Sequence, residues 1–99
     1  WQLRIAAGER LPFAQGELVP RGHAVEARVC AEDPAAGFVP SAGRLARLAW
    51  PASSARLRID AGFESGDVVP THYDSLLGKV IGTGADRPGA LDALADGLG

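Results

Sequence analysis

Few side chains of this sequence stand where their type and spacing could do chemistry, and Arg28 is the strongest of them. It lies in Ala24–Glu32, where polar Glu26, Arg28, Cys30 and Glu32 alternate with apolar Val25, Ala27, Val29 and Ala31. Successive residues of a strand point to opposite faces, so this alternation predicts one apolar and one polar face. A guanidinium is always charged and forks two donors at an oxyanion. Two readings follow. Arg28 is either a solvated side chain on an open sheet face, or the anion-binding group of a cleft in which Glu26 and Glu32 orient it. His23, at the strand entrance, is a lone histidine and reads first as structural. His72-Tyr73-Asp74 offers an acid–base trio on paper, but adjacent residues rarely face one another, and a turn with a capping Asp is the simpler reading. Asp60 and Asp67 are too scattered to argue for a carboxylate pair. Gly82-Thr83-Gly84 lacks the further glycine of a dinucleotide loop and reads as a turn. Walker-type loops, a Gly-x-Ser-x-Gly elbow and a His-Glu-x-x-His helix are all absent.

The elements that must position Arg28 can be read from punctuation and periodicity. Trp1 to Ala7 is expected to be the end of a helix, closed by Gly8 in the left-handed conformation. Glu9 to Gly22 is a loop broken by Pro12, Gly16 and Pro20. Asp33-Pro34 ends the strand that carries Arg28, because Pro cannot donate to a ladder. Arg44 to Trp50 is expected as a second strand, and Arg56 to Asp60 as a third, with Leu57 and Ile59 inward. Val68-Val69 is a short extended piece. Ser75 to Ile81 favours strand through its β-branched end. Asp86 caps a last helix that has Pro88 in its first turn and Leu91, Leu94 and Leu98 on one face. The sum is an α+β domain: a small antiparallel β-sheet flanked by helices at both ends. Residues 1–99 form one domain with its core at about 21–82, and the helices at 1–8 and 86–99 are read as truncated.

Composition narrows the function. Ninety-nine residues bury only about 60–65% of their unfolded surface, so the core is modest. Gly and Pro number 13 and 7, which favours turns over a helical bundle. The net charge of −2 leaves no basic surplus for nucleic acid. No apolar run approaches the ~20 residues of a membrane span. Cys30 is the only cysteine, which excludes an internal disulfide and fits a reducing, cytoplasmic setting. It is also too isolated for a zinc site. A first residue other than Met suggests a piece of something larger.

Several blocks, taken in order, resemble one family. Gly22-His23-Ala24-Val25-Glu26-Ala27-Arg28-Val29-Cys30-Ala31-Glu32-Asp33-Pro34 resembles the opening strand of the C-terminal domain of biotin carboxylases. Phe38-Val39-Pro40-Ser41-Ala42-Gly43-Arg44-Leu45 is similar to the next block. Arg58-Ile59-Asp60 with Gly62 and Gly66-Asp67-Val68-Val69 resembles a third. Tyr73-Asp74-Ser75-Leu76-Leu77-Gly78-Lys79-Val80-Ile81 resembles a fourth, a Tyr-Asp signature ending in Gly/Ala-Lys. The resemblance runs from residue 1 to about 95.

The resemblance implies a barrel-sandwich-hybrid-like sheet of the rudiment single hybrid type. It implies ATP-dependent carboxylation of biotin, with bicarbonate activated by ATP, in an acyl-CoA carboxylase of fatty acid metabolism. Arg28 matches the family arginine that contacts bicarbonate and stabilises the biotin enolate. Glu26 and His23 would be its substrate-site neighbours. Arg58, Tyr73 and Asp74 match segments near a homodimer contact. The implied cofactors are biotin on a carrier domain, with ATP and Mg²⁺ held by an upstream ATP-grasp domain. A biotin carboxyl carrier domain and a carboxyltransferase subunit are the implied partners. The 99 residues alone are expected to be inactive. Two other classes compete. In a biotinyl or lipoyl carrier domain, Gly66-Asp67-Val68-Val69 would be the family turn and Lys79, the only lysine, the attachment site. A protein-interaction module would have no active-site residues.

Overall fold

The computed structural model describes residues 1–99. In chain order the elements are α1 (Gln2–Ala6), β1 (His23–Cys30), β2 (Glu32–Asp33), β3 (Val39–Pro40), β4 (Gly43–Arg44), β5 (Leu57–Ala61), β6 (Val68–Val69), β7 (Leu76–Gly84) and α2 (Arg87–Leu98). β1, β7 and β5 form a three-stranded antiparallel sheet with β7 in the middle. Two short antiparallel pairs, β2–β3 and β4–β6, extend the β region at one end of β1 and β7. The predicted α+β class holds: a small antiparallel sheet with a helix on either side of it in sequence.

The register sorts the main sheet into two faces. Val25, Gly82 and Leu57 stand side by side across the three strands, as do Ala27, Val80 and Ile59. This face is covered by α2. Its buried residues are Ala90, Ala93 and Leu94, on the side of the sheet where Val80 and Gly82 are buried. The approach is close because glycine makes it possible. A Cβ on Gly82 would come within 2.5 Å of the Leu94 amide nitrogen, and one on Gly84 within 2.5 Å of that of Ala90. From the other side, a Cβ on Gly97 would strike Leu57 at 2.6 Å. Further along the strand, Gly78 makes room for the ring of Trp50, whose Nε1 donates to the Phe63 carbonyl at 3.0 Å.

Three expectations are corrected here. Gly82-Thr83-Gly84 is not a turn but the last stretch of β7, its glycines spent on helix contact. Leu91, Leu94 and Leu98 do not share the buried face. Leu94 is buried, while Leu91 and Leu98 are 41% and 55% exposed, because the sheet admits only the small Ala90–Ala93–Gly97 side at this distance. Arg44 to Trp50 is not a strand beyond Arg44. The Leu45 amide donates to the Asp67 carbonyl and the Leu48 amide to Ser65 Oγ, so loop partners replace a ladder.

The local stop signals act as read. Gly8, at φ +89°, follows α1. Asp33 accepts from the Ala35 amide at 2.9 Å and starts a 3-10 turn at Pro34–Ala36. Asp86 accepts from the Gly89 amide at 2.9 Å and caps α2. Residues 1–24 are all exposed, and the radius of gyration is 17.6 Å, against about 13 Å for a compact domain of 100 residues. The core is therefore concentrated where the sheet meets α2.

Candidate functional site

The other face of the sheet is charged and carries no helix. Arg28 of β1, Lys79 of β7 and Asp60 of β5 stand in one row across the strands, and Glu26, Ile81 and Arg58 in the next. Alternation in β1 and β5 dictates this, since the residues between them are the half-buried ones under α2. Three cations and three carboxylates meet here once Asp74 is counted. Asp74 lies just before β7 and places Oδ2 3.6 Å from Arg28 Nη2. Lys79 Nζ lies 3.5 Å from Glu26 Oε1. Arg58 holds Asp60 with two forked contacts, Nε to Oδ1 at 3.0 Å and Nη2 to Oδ2 at 2.6 Å. The hydrogen bond from Arg58, reinforced by its charge, keeps the Asp60 carboxyl below the usual carboxylate range. The same bond raises the Arg58 guanidinium.

Arg28 is the least committed of the cations. Its side chain is 53% exposed, and its one charged partner sits beyond hydrogen-bond distance. Most of its donor fork is therefore open to an incoming anion. Beside Asp74, a cleft of about 250 Å³ opens between Tyr73, Ser75, Val69, Pro40, Ser41 and Ala31. Ser75 is buried at its edge and donates to Glu32 Oε1 at 2.8 Å.

The structure gathers the sequence candidates differently from the expectation. Glu26 shares the face of Arg28, but its ion partner is Lys79. Glu32 does not orient Arg28 either. A register shift between Val29 and Cys30 ends β1, and Glu32 belongs to β2, where it takes the Ser75 hydroxyl. The carboxylate beside Arg28 is Asp74, 46 positions away, so the capping-turn reading of Asp74 is incomplete. His23 is not brought to Arg28. It pairs with Gly84 at the opposite end of β1, on the face that α2 covers. Arg58 lies on the polar face, two strands from Arg28, and Tyr73 projects into solvent at 83% exposure. Lys79, read only as an attachment site, occupies the middle of the central strand rather than a hairpin tip. Its place beside Arg28 follows from strand pairing, which the sequence does not display.

A family model described as the biotin carboxylase C-terminal domain matches residues 26–99. The chain belongs to the biotin carboxylase C-terminal domain family. The matched span begins at Glu26, so the family pattern covers every residue of the polar face and all of α2, and leaves out His23. Among curated relatives, the chain is 47% identical over 94 residues to methylcrotonoyl-CoA carboxylase subunit alpha, mitochondrial, of Mus musculus, covering 95% of this chain and 13% of that protein. It is 47% identical over 96 residues to biotin carboxylase of Pseudomonas aeruginosa, covering 97% of this chain and 21% of that one. Among solved structures it is similar to the biotin carboxylase domain dimer of Hydrogenobacter thermophilus 2-oxoglutarate carboxylase in complex with MgADP, ADP and bicarbonate. The TM-score is 0.90 and the identity 35%, over 99% of this chain and 21% of that one. The chain thus spans from about an eighth to about a fifth of the length of these biotin carboxylase relatives.

Proposed function

We propose that this domain forms one wall of the active site of an ATP-dependent biotin carboxylase. The reaction joins bicarbonate to a ureido nitrogen of biotin as ATP is cleaved to ADP and phosphate. The observation that carries the reading is Arg28: a permanent cation on an open sheet face, steadied by Asp74 and otherwise free to donate. Charge develops on bicarbonate oxygens and on the ureido oxygen of biotin during transfer. A preorganised guanidinium aimed at such oxygens stabilises the transition state more than the ground state. Within this reading Glu26 is a neighbour of the substrate site, acting through Lys79, and His23 has the weakest claim because of its distance along β1.

ATP and Mg²⁺ belong in this reading to an upstream ATP-grasp domain. Biotin arrives on a carrier domain and leaves toward a carboxyltransferase that selects the acceptor, an acyl-CoA in the reading we favour. A homodimer through the segments of Arg58 and Tyr73 fits their exposure and the dimer named for the Hydrogenobacter protein. Asp74 moves from that interface set to the Arg28 site, because its carboxylate faces Arg28. The sheet and its two short strand pairs are compatible with a barrel-sandwich hybrid. A cytoplasmic enzyme of fatty acid metabolism completes the reading, with the free thiol of Cys30 suited to a reducing compartment.

The carrier-domain alternative is disfavoured by Lys79, which lies mid-strand and 35% exposed between Glu26, Arg28 and Asp60. The test is ADP release by the complete enzyme that carries this domain. Release that requires both bicarbonate and biotin is expected, with none from the 99 residues alone. ADP formation indifferent to biotin, or sustained by the isolated chain, contradicts the reading.

A further inference from the structure

On the polar face, Lys79 sits directly opposite Arg28 on one side and Asp60 on the other. Like charges directly opposite across strands are unfavourable unless carboxylates separate them. Here each cation has its own: Asp74 beside Arg28, Glu26 beside Lys79 and Asp60 on Arg58. Glu26 is the one acid that could take another partner. It shares a strand face with Arg28 two residues away, a spacing at which Arg58 does fold onto Asp60 in β5. In β1 that fold-back does not occur: Glu26 lies against the ammonium of Lys79, and Arg28 lies beside Asp74.

We infer that Lys79 is a positioning residue: it holds Glu26 away from Arg28 and, by charge, leaves Arg28 toward Asp74 with its donors open. This rests on Arg28 being the anion-binding group proposed above. Lys79 touches neither substrate nor reacting atoms in this account. Its removal frees Glu26 to close on Arg28 as Asp60 closes on Arg58, and the guanidinium is then neutralised and turned along β1.

The test uses the complete enzyme and two readouts. In Lys79→Met, kcat/KM for biotin-dependent ATP cleavage falls about tenfold to a hundredfold, as for a misplaced catalytic group. Lys79→Arg keeps most of the rate. Lys79→Met with Glu26→Gln recovers most of the loss, because the competitor for Arg28 has lost its charge. A merely structural lysine predicts no such recovery. The second readout is a crystal structure of the Lys79→Met enzyme, in which Arg28 contacts Glu26 instead of Asp74. If Arg28 stays on Asp74, or if the double variant remains as slow as Lys79→Met, the inference is overturned. If Arg28 switches to Glu26 while the wild-type enzyme shows no biotin-dependent cleavage, the inference stands and the functional reading falls.

Discussion

The two faces of one three-stranded sheet divide the work of this domain. The face under α2 is built from small side chains and from glycines that let two backbones approach; it holds charge at a distance. The opposite face holds six charged groups in partnered sets and buries none of them fully. Strand β7 contributes to both, with Gly78, Val80 and Gly82 buried on one face and Lys79 and Ile81 only half-buried on the other. A single residue step along β7 therefore moves a substitution from the packed face to the charged one.

The comparison breaks most visibly at Gly82. A side chain there must occupy the backbone of Ala90 and Leu94, which cannot yield as a flexible side chain would. Gly82→Val is expected to cost about 3 kcal/mol or more, the upper range for overpacking, read as a lower urea midpoint. A variant as stable as the parent would mean that α2 does not dock on this face. Asp86→Ala removes the cap of α2 and is expected to cost about 1 kcal/mol in the same measurement. An unchanged midpoint would mean that the cap bond does not hold the helix in solution.

The smallest effect lies on the polar face. Asp60 ionises below the usual carboxylate range because Arg58 donates to it. A depressed folded-state value stabilises the fold above the unfolded carboxylate's value, and that contribution is lost as the pH falls through the folded value. Carboxyl ¹³C titration is expected to show a low midpoint for Asp60 that rises toward the ordinary value in Arg58→Ala. A midpoint indifferent to Arg58 would remove the pairing from the account.

Much of this contrast is legible in the sequence, and the limits are physical. Alternation in 24–32 and 56–60 reveals two strands and the side on which Arg28 lies, because period-two burial is a local signal, although β1 stops at Cys30 and Glu32 passes to β2. Asp33, Asp86 and Pro88 reveal boundaries, because capping is local too. Gly82 and Gly84 mislead. Glycine is a turn former in isolation, and its use as a gap between strand and helix depends on where Ala90 and Leu94 arrive. The pairing of Arg28 with Asp74, and of Glu26 with Lys79, depends on the register between β1 and β7. Arg44 to Trp50 reads as a strand, yet past Arg44 the amides of Leu45 and Leu48 are satisfied by Asp67 and Ser65.

The central claim is that the uncovered face, through Arg28, meets the reacting anions. Its most direct test is transfer of label from ¹⁴C-bicarbonate to biotin by the complete enzyme carrying Arg28→Ala, with thermal unfolding measured in parallel. The account predicts a fall in kcat of about a hundredfold to a thousandfold with unfolding unchanged, as for loss of a preorganised oxyanion donor. Label transfer at the parent rate by a folded Arg28→Ala enzyme would contradict it.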